Sequence, residues 1–90
     1  MQDDAFEWDD GKAERNAREH DVTFELARVA FDDPGFIDED DPDPDEERYR
    51  RICMRAETLY VVVYAERGSR TRIISARRAD RHEQRRYYDR

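Results

Sequence analysis

Apolar and polar positions recur with two different periods along this chain, and the change from one to the other falls near its middle. The first third is helical in spacing. Phe6, Glu7 and Trp8 form a short apolar-flanked opening, after which Ala13, Ala17 and His20 share one face of a helix predicted over residues 11–20, with Asp9 or Asp10 as its cap. Asp21 and Val22 break that helix. Thr23 is placed to cap a second one carrying Leu26, Val29 and Ala30 on one side, and the turn-forming run Asp32, Asp33, Pro34, Gly35 stops it.

From Arg48 onward the period becomes two, the signature of strands. Arg50, Ile52 and Met54 alternate with Tyr49, Arg51 and Cys53, while residues 59–65 are apolar on both faces and so predict a central strand. The turn Glu66, Arg67, Gly68, Ser69 leads to an antiparallel neighbour over 70–77. Strict alternation there puts Ile73, Ser75 and Arg77 on one face and Arg72, Ile74, Ala76 and Arg78 on the other. Asp80 with Glu83 three residues on is a capping-box pattern, opening a short helix that ends with Tyr87 and Tyr88. The expectation is an α+β fold with two N-terminal helices, an antiparallel sheet of three to four strands and a short C-terminal helix, in a single domain over residues 1–90.

Composition sharpens this picture. With 37% hydrophobic and 46% charged residues the chain leans toward disorder, but its apolar residues are bunched in 59–64 and 72–76, which predicts a small packed core. No run approaches the roughly 18–20 apolar residues that cross a bilayer, and the acidic N-terminus lacks a signal-peptide pattern, so a cytoplasmic protein with no membrane contact is expected. The single Cys53 has no disulfide partner and no second Cys or His at metal-ligand spacing, so it reads as a buried structural thiol, and neither metal nor cofactor is expected.

Charge is unevenly divided. Residues 1–47 hold 19 Asp and Glu against 4 Lys and Arg, whereas residues 48–90 hold 5 against 13, so the net charge of −7 conceals halves of opposite sign. An arginine-rich half suits phosphate, because guanidinium groups bind phosphate oxygens in pairs; the plainer alternative is that the halves neutralise each other on folding. The acidic stretch 38–47 reads as a mobile, solvated loop, since its like charges repel and its prolines cannot join a ladder. Its spacing lacks the glycine and closing glutamate of an EF-hand calcium loop.

Several segments in this order resemble one toxin family: Phe6-Glu-Trp-Asp9, Lys12-Ala13 with Asn16, His20-Asp-Val-Thr-Phe24, Val29-Ala-Phe-Asp-Asp-Pro34, Arg48, Val61-Val-Val63, Glu66-Arg-Gly68 and Arg72-Ile-Ile-Ser-Ala-Arg-Arg-Ala79. The chain is similar to the BrnT toxins over nearly its whole length. That resemblance implies a RelE-like fold, an endoribonuclease that arrests translation, and a BrnA-like ribbon-helix-helix antitoxin as partner, with operator DNA contacted only through the antitoxin. Two segments depart from the family pattern. Glu19-His20-Asp21-Val22 stands where the family usually reads Lys-His-Gly-Val, and Arg55-Ala-Glu-Thr-Leu59 replaces a turn that commonly carries Gly and Arg.

Cleaving RNA with side chains alone requires a base for the 2′-hydroxyl, charge stabilisation at phosphorus and an acid for the leaving oxygen. RelE-like enzymes draw on arginine, lysine and tyrosine for these roles. The catalytic candidates are His20, Arg67, Arg77 and Tyr88, and the RNA-binding candidates are Lys12, Arg70, Arg72, Arg78 and Tyr87. Each has a structural alternative: His20 as a packed helix end, the arginines as solubilising or antitoxin-pairing surface groups, Lys12 as the partner of a nearby carboxylate, and the tyrosine pair as an anchor for the last helix. The competing functional reading is a degenerate toxin, inactive in cleavage but retained as antitoxin partner and co-repressor of its operon.

Overall fold

The computed structural model describes all of residues Met1–Arg90. In chain order the elements are β1 (Phe6–Glu7), α1 (Asp10–His20), α2 (Phe24–Ala30), β2 (Ile37–Asp40), β3 (Tyr49–Arg55), β4 (Thr58–Arg67), β5 (Arg70–Arg78) and α3 (Arg81–Tyr88). Helix starts follow the expected chemistry. Asp9 accepts from the Lys12 N–H, Thr23 from the Leu26 N–H, and Asp80 with Glu83 closes a complete capping box. Asp21 ends α1 in the left-handed region at φ 55°, a conformation that asparagine and aspartate tolerate better than other side chains.

The sheet has five strands in the order β1-β5-β4-β3-β2, and it is mixed, because β1 runs parallel to β5 while the other pairs are antiparallel. This corrects the expected antiparallel sheet of three to four strands. The two-residue β1 is too short for any alternation to show. Meanwhile β2 runs into the acidic stretch, where two of its four cross-strand neighbours are arginines: Asp38 lies opposite Arg51 and Glu39 opposite Arg50.

Both faces of the sheet are covered. Helices α1 and α2 close one face over a cluster that includes Trp8, Val22, Phe24, Ala27, Phe31, Cys53, Val62, Tyr64 and Ile73. Ile52, Leu59, Val61, Ala79 and Tyr87 form a smaller cluster on the other face, beside α3. The central β4 therefore needs apolar residues on both sides, as its sequence predicts. The expected stripe on α2 shifts, however. Phe24, Ala27 and Ala30 are buried whereas Val29 is 45% exposed, because Phe24 fixes the docked face through an edge-on contact with Trp8 at 5.7 Å.

A bulge in β5 also overturns strict alternation. Val63 pairs with Ser75 but Tyr64 pairs with Ile73, leaving Ile74 as an extra residue. Residues opposite one another share a face, so Arg72 and Arg77 both lie on the α3 side, across from Ala65 and Val61. Ile73, Ala76 and Arg78 lie on the α1 side, across from Tyr64, Val62 and Tyr60.

Candidate functional site

Folding converts the charge division of the sequence into internal ion pairs. Arg48 reaches Asp41 and Asp43 at 3.1 and 2.9 Å, Arg50 reaches Glu39 and Asp41, and Arg67 reaches Glu46 at 2.9 Å. Arg51 grips both oxygens of Asp38 while its guanidinium lies 3.8 Å from the Phe31 ring centre and 3.7 Å from that of Phe36. The stretch 38–47 is thus no free solvated loop. It begins as a strand and serves as counterion for Arg48, Arg50, Arg51, Arg67 and, from α3, Arg86. Hydrogen bonds from the Asp45 N–H and charge from Arg48 hold the Asp43 carboxyl below the usual range, and those from Arg86 and Arg50 do the same for Glu39.

Several of the residues singled out from sequence are occupied in this way. Arg72 pairs with Glu7 at 2.8 Å, and Arg70 donates its Nε to the Asp3 carbonyl at 2.7 Å. Arg77 makes two 2.7 Å bonds to the buried Glu83, whose carboxyl is held low chiefly by that guanidinium. Tyr87 is buried and donates its hydroxyl to Asp33 at 2.7 Å, which anchors the end of α3. Arg67 and Arg77 cannot share a phosphate. Arg67 faces Arg70 at one end of the β4–β5 pair, and Arg77 faces Val61, six residues away and so about 20 Å along the strand.

The remaining candidates converge elsewhere. The C-terminal ends of β3 and β5, the start of β4 and the end of α1 meet at one end of the sheet, where the Arg78 guanidinium reaches the His20 carbonyl at 3.5 Å. Two shallow clefts flank that contact. One, of about 240 Å³, is lined by Lys12, Arg15, Asn16, Glu19, His20 and the bulge residues Ile74 and Ser75. The other, of about 230 Å³, is lined by Glu57, Thr58, Arg78, Gln84 and Tyr88. Lys12, Arg15 and Arg78 make no carboxylate contact, nor do Arg55 and Arg81 near the same end, so this surface gathers five cations that folding has not neutralised.

Asn16 fixes this arrangement, and the candidate list passed over it. Its amide bonds both the N–H and the carbonyl of Ala76, at 3.1 and 2.8 Å, and also the Val22 carbonyl at 2.9 Å. It closes the open edge of β5 beyond β1 as a further strand would. The signal was visible in sequence: Asn16 is a lone amide on the stripe of Ala13, Ala17 and His20. Cys53 is buried within the core, and burial pushes its thiol up to about 12, far from reactive thiolate behaviour.

A mixed sheet flanked by helices, with one cation-bearing end formed by α1, β5 and α3, makes this a small α+β fold. The sequence profile of BrnT, the ribonuclease toxin of type II toxin–antitoxin systems, matches residues 8–83. The chain belongs to the BrnT toxin family. Among curated proteins none matches it. As a type II toxin it has an antitoxin for partner, and no helix is long and apolar enough to cross a membrane.

Proposed function

We propose that this chain is a cytoplasmic endoribonuclease that stops translation by cutting RNA with its own side chains, and that a BrnA-like ribbon-helix-helix antitoxin silences it. The observation that carries this reading is the position of Arg78, free of any carboxylate, between the cleft holding His20 and Lys12 and the cleft holding Tyr88. A phosphate on Arg78 has an imidazole on one side and a phenol on the other. His20 takes the 2′-hydroxyl proton as that oxygen attacks phosphorus, and the bond to the 5′-oxygen breaks. Tyr88 gives the departing oxygen its proton, while Arg78 and Lys12 stabilise the extra charge at phosphorus. The products are a 2′,3′-cyclic phosphate and a 5′-hydroxyl.

Arg67, Arg70 and Arg72 fit a different role in this scheme, holding the β1 and acidic-segment side of the fold together, and Arg77 with Tyr87 positions α3. The test is incubation of the purified chain, free of antitoxin, with a defined oligoribonucleotide and mass detection of cyclic-phosphate ends. His20→Ala and Arg78→Ala should lose cleavage while remaining folded. Intact RNA with the folded wild-type chain overturns the proposal.

A second reading has one observation in its favour. Glu19, which stands where the family carries lysine, lies 3.9 Å from the His20 imidazole and draws negative charge to the site. On that reading the chain is a non-cleaving toxin that binds its antitoxin and serves as co-repressor, reaching operator DNA only through it. Stable antitoxin binding without RNA cleavage distinguishes it.

A further inference from the structure

The cleft between the β3–β4 turn and α3 lends Tyr88 and Arg78 to the cleavage scheme, and it also carries groups, Glu57 and Gln84, that the reaction does not use. Ala56 and Glu57, the two residues joining β3 to β4, are both left-handed, at φ 49° and 66°. That backbone belongs to the tight hairpin turn that normally selects glycine or asparagine. Here it carries Glu57, an exposed residue that lines the cleft and whose carboxylate meets no cation or hydrogen-bond donor of the chain. Gln84 donates its amide nitrogen to the Ala79 carbonyl at 3.1 Å, which leaves its side-chain oxygen as an acceptor. Tyr88 supplies an aromatic wall 62% exposed, held edge-on by Tyr87 at 5.4 Å, and Tyr87 is itself tied to Asp33. The cleft thus offers a flat ring a stacking surface, two acceptors and the adjoining Arg78 for its phosphate.

We propose that this cleft is a base subsite selecting guanine, with Glu57 as the specificity-determining residue and Tyr88 as the stacking platform. The inference rests on the ribonuclease reading above. Guanine presents two neighbouring donors, N1–H and the N2 amine, on its Watson–Crick edge, and these match the two oxygens of a carboxylate. Adenine and cytosine each place a ring-nitrogen acceptor beside their single amine, and uracil flanks its one N–H with two carbonyls, so none can satisfy both oxygens. The volume, about 230 Å³, is below the ~300–1,000 Å³ of ordinary ligand pockets and suits a single base rather than a larger group.

Calorimetric titration of the purified chain with the 5′-monophosphates of guanosine, inosine and adenosine, whose phosphate stands on the Tyr88 side of the scheme, tests this without requiring cleavage. Guanosine should bind roughly tenfold or more tighter than adenosine, with inosine, which lacks the N2 amine, between them. Glu57→Gln should erase the guanosine preference while leaving adenosine binding in place. Glu57→Gly, which relieves the left-handed strain, should also erase it while raising the melting temperature, separating lost recognition from lost folding. Equal binding of guanosine and adenosine by the wild-type chain, or a preference that survives both substitutions, overturns the subsite. Selective binding by a chain that cuts no RNA upholds the subsite and instead refutes the ribonuclease reading.

Discussion

The side chain of Asn16 and the backbone of Ala76, sixty residues apart, exchange two hydrogen bonds within the core, so that a single amide in α1 completes the edge of β5. The same amide holds the Val22 carbonyl, which links α1, the segment leading into α2 and the sheet at one point. His20 and Lys12 line one cleft with Asn16 itself, and Arg78 reaches the His20 carbonyl in the frame that this contact sets.

Replacing Asn16 by alanine leaves the Ala76 N–H and carbonyl and the Val22 carbonyl without partners in a buried place. At about 1–3 kcal/mol for each unsatisfied group, partly relieved by relaxation, the expected loss is about 2–4 kcal/mol in urea unfolding. Asn16→Asp keeps an acceptor for the Ala76 N–H but turns its second oxygen against two carbonyls. Its carboxyl should therefore take up a proton more readily folded than unfolded, so the variant regains stability as pH falls. An Asp variant as stable as wild type at neutral pH would sink the edge-closing role.

Arg77 and Arg78 are neighbours with opposite commitments. Arg77 is locked to Glu83, which also accepts the Asp80 N–H at 2.8 Å, whereas Arg78 is exposed and makes one long bond to a carbonyl. Because Arg77 is 40% exposed, its alanine variant is expected to cost about 1–2 kcal/mol rather than the larger loss of a fully buried pair. Differential scanning calorimetry should show a fall of roughly 4–8 °C per kcal/mol. Arg78→Ala should leave the transition within about 0.5 kcal/mol of wild type and still abolish RNA cleavage. Identical thermal profiles for the two variants would contradict this division.

Much of the framework was legible from sequence because local rules govern it: the capped helices, the two-faced β4 and the capping box of α3 all follow from residues a few positions apart. What could not be read depends on pairings across the fold. Nothing local distinguishes the acidic strand β2 from a loop until Arg50 and Arg51 lie beside it, and the Ile74 bulge is invisible without β4. The site suffered for the same reason. An arginine with a carboxylate waiting for it looks, in sequence, the same as one without.

The acidic segment offers a direct check of that point. Asp41 and Asp43 share Arg48, whose Nε is buried with no partner, so the guanidinium depends on those carboxylates. An Asp41→Asn, Asp43→Asn double variant should therefore unfold at lower denaturant despite lowering the net negative charge, and the loss should shrink in high salt. In hydrogen exchange the wild-type amides of Asp41 and Asp45, bonded to the Arg48 carbonyl and the Asp43 carboxylate, should be slower than a free loop. Fast exchange there would restore the picture of a solvated tether.

Stability should have a plateau bounded on both sides by shifted groups. The Asp3 carboxyl is lowered to about 2, first by the Phe6 N–H and then by Arg28, and Glu83 and Glu39 are lowered by their arginines. Groups depressed in the folded state contribute above their unfolded values, and that contribution is lost as pH falls from about 4.5 toward 2. On the alkaline side, burial raises the Cys53 thiol to about 12, and burial with the Asp38 hydrogen bond raises the Tyr64 phenol to about 12. Raised groups stabilise fully below their unfolded values, so the loss begins near pH 9 and runs to about 12. Denaturant midpoints across pH 2–12 should trace this shape, and Cys53→Ala should flatten the alkaline limb even though it leaves a small cavity.

On the proposed function the antitoxin silences the surface that does the cutting, and the ion pairs decide which charges are left for it to meet. The carboxylates Glu39, Asp41, Asp43 and Glu46 are already engaged by arginines of the chain, so neutralising exposed Asp45 and Glu47 removes only charges at the margin. Arg78 makes no ion pair within the chain, and neither do Lys12, Arg15, Arg55 and Arg81, so their charges are left for an acidic partner to meet. An inhibitor that covers the clefts meets those charges, and its acidic residues steer the approach. Arg78→Glu should accordingly weaken antitoxin binding at least tenfold, with much of the effect on the association rate and a reduced dependence on salt. Asp45→Asn with Glu47→Gln should change affinity by less than about twofold. Surface plasmon resonance at two ionic strengths separates the outcomes: a larger loss from the carboxylate variant would place the antitoxin on the acidic end, and the clefts would then be blocked from a distance or left open.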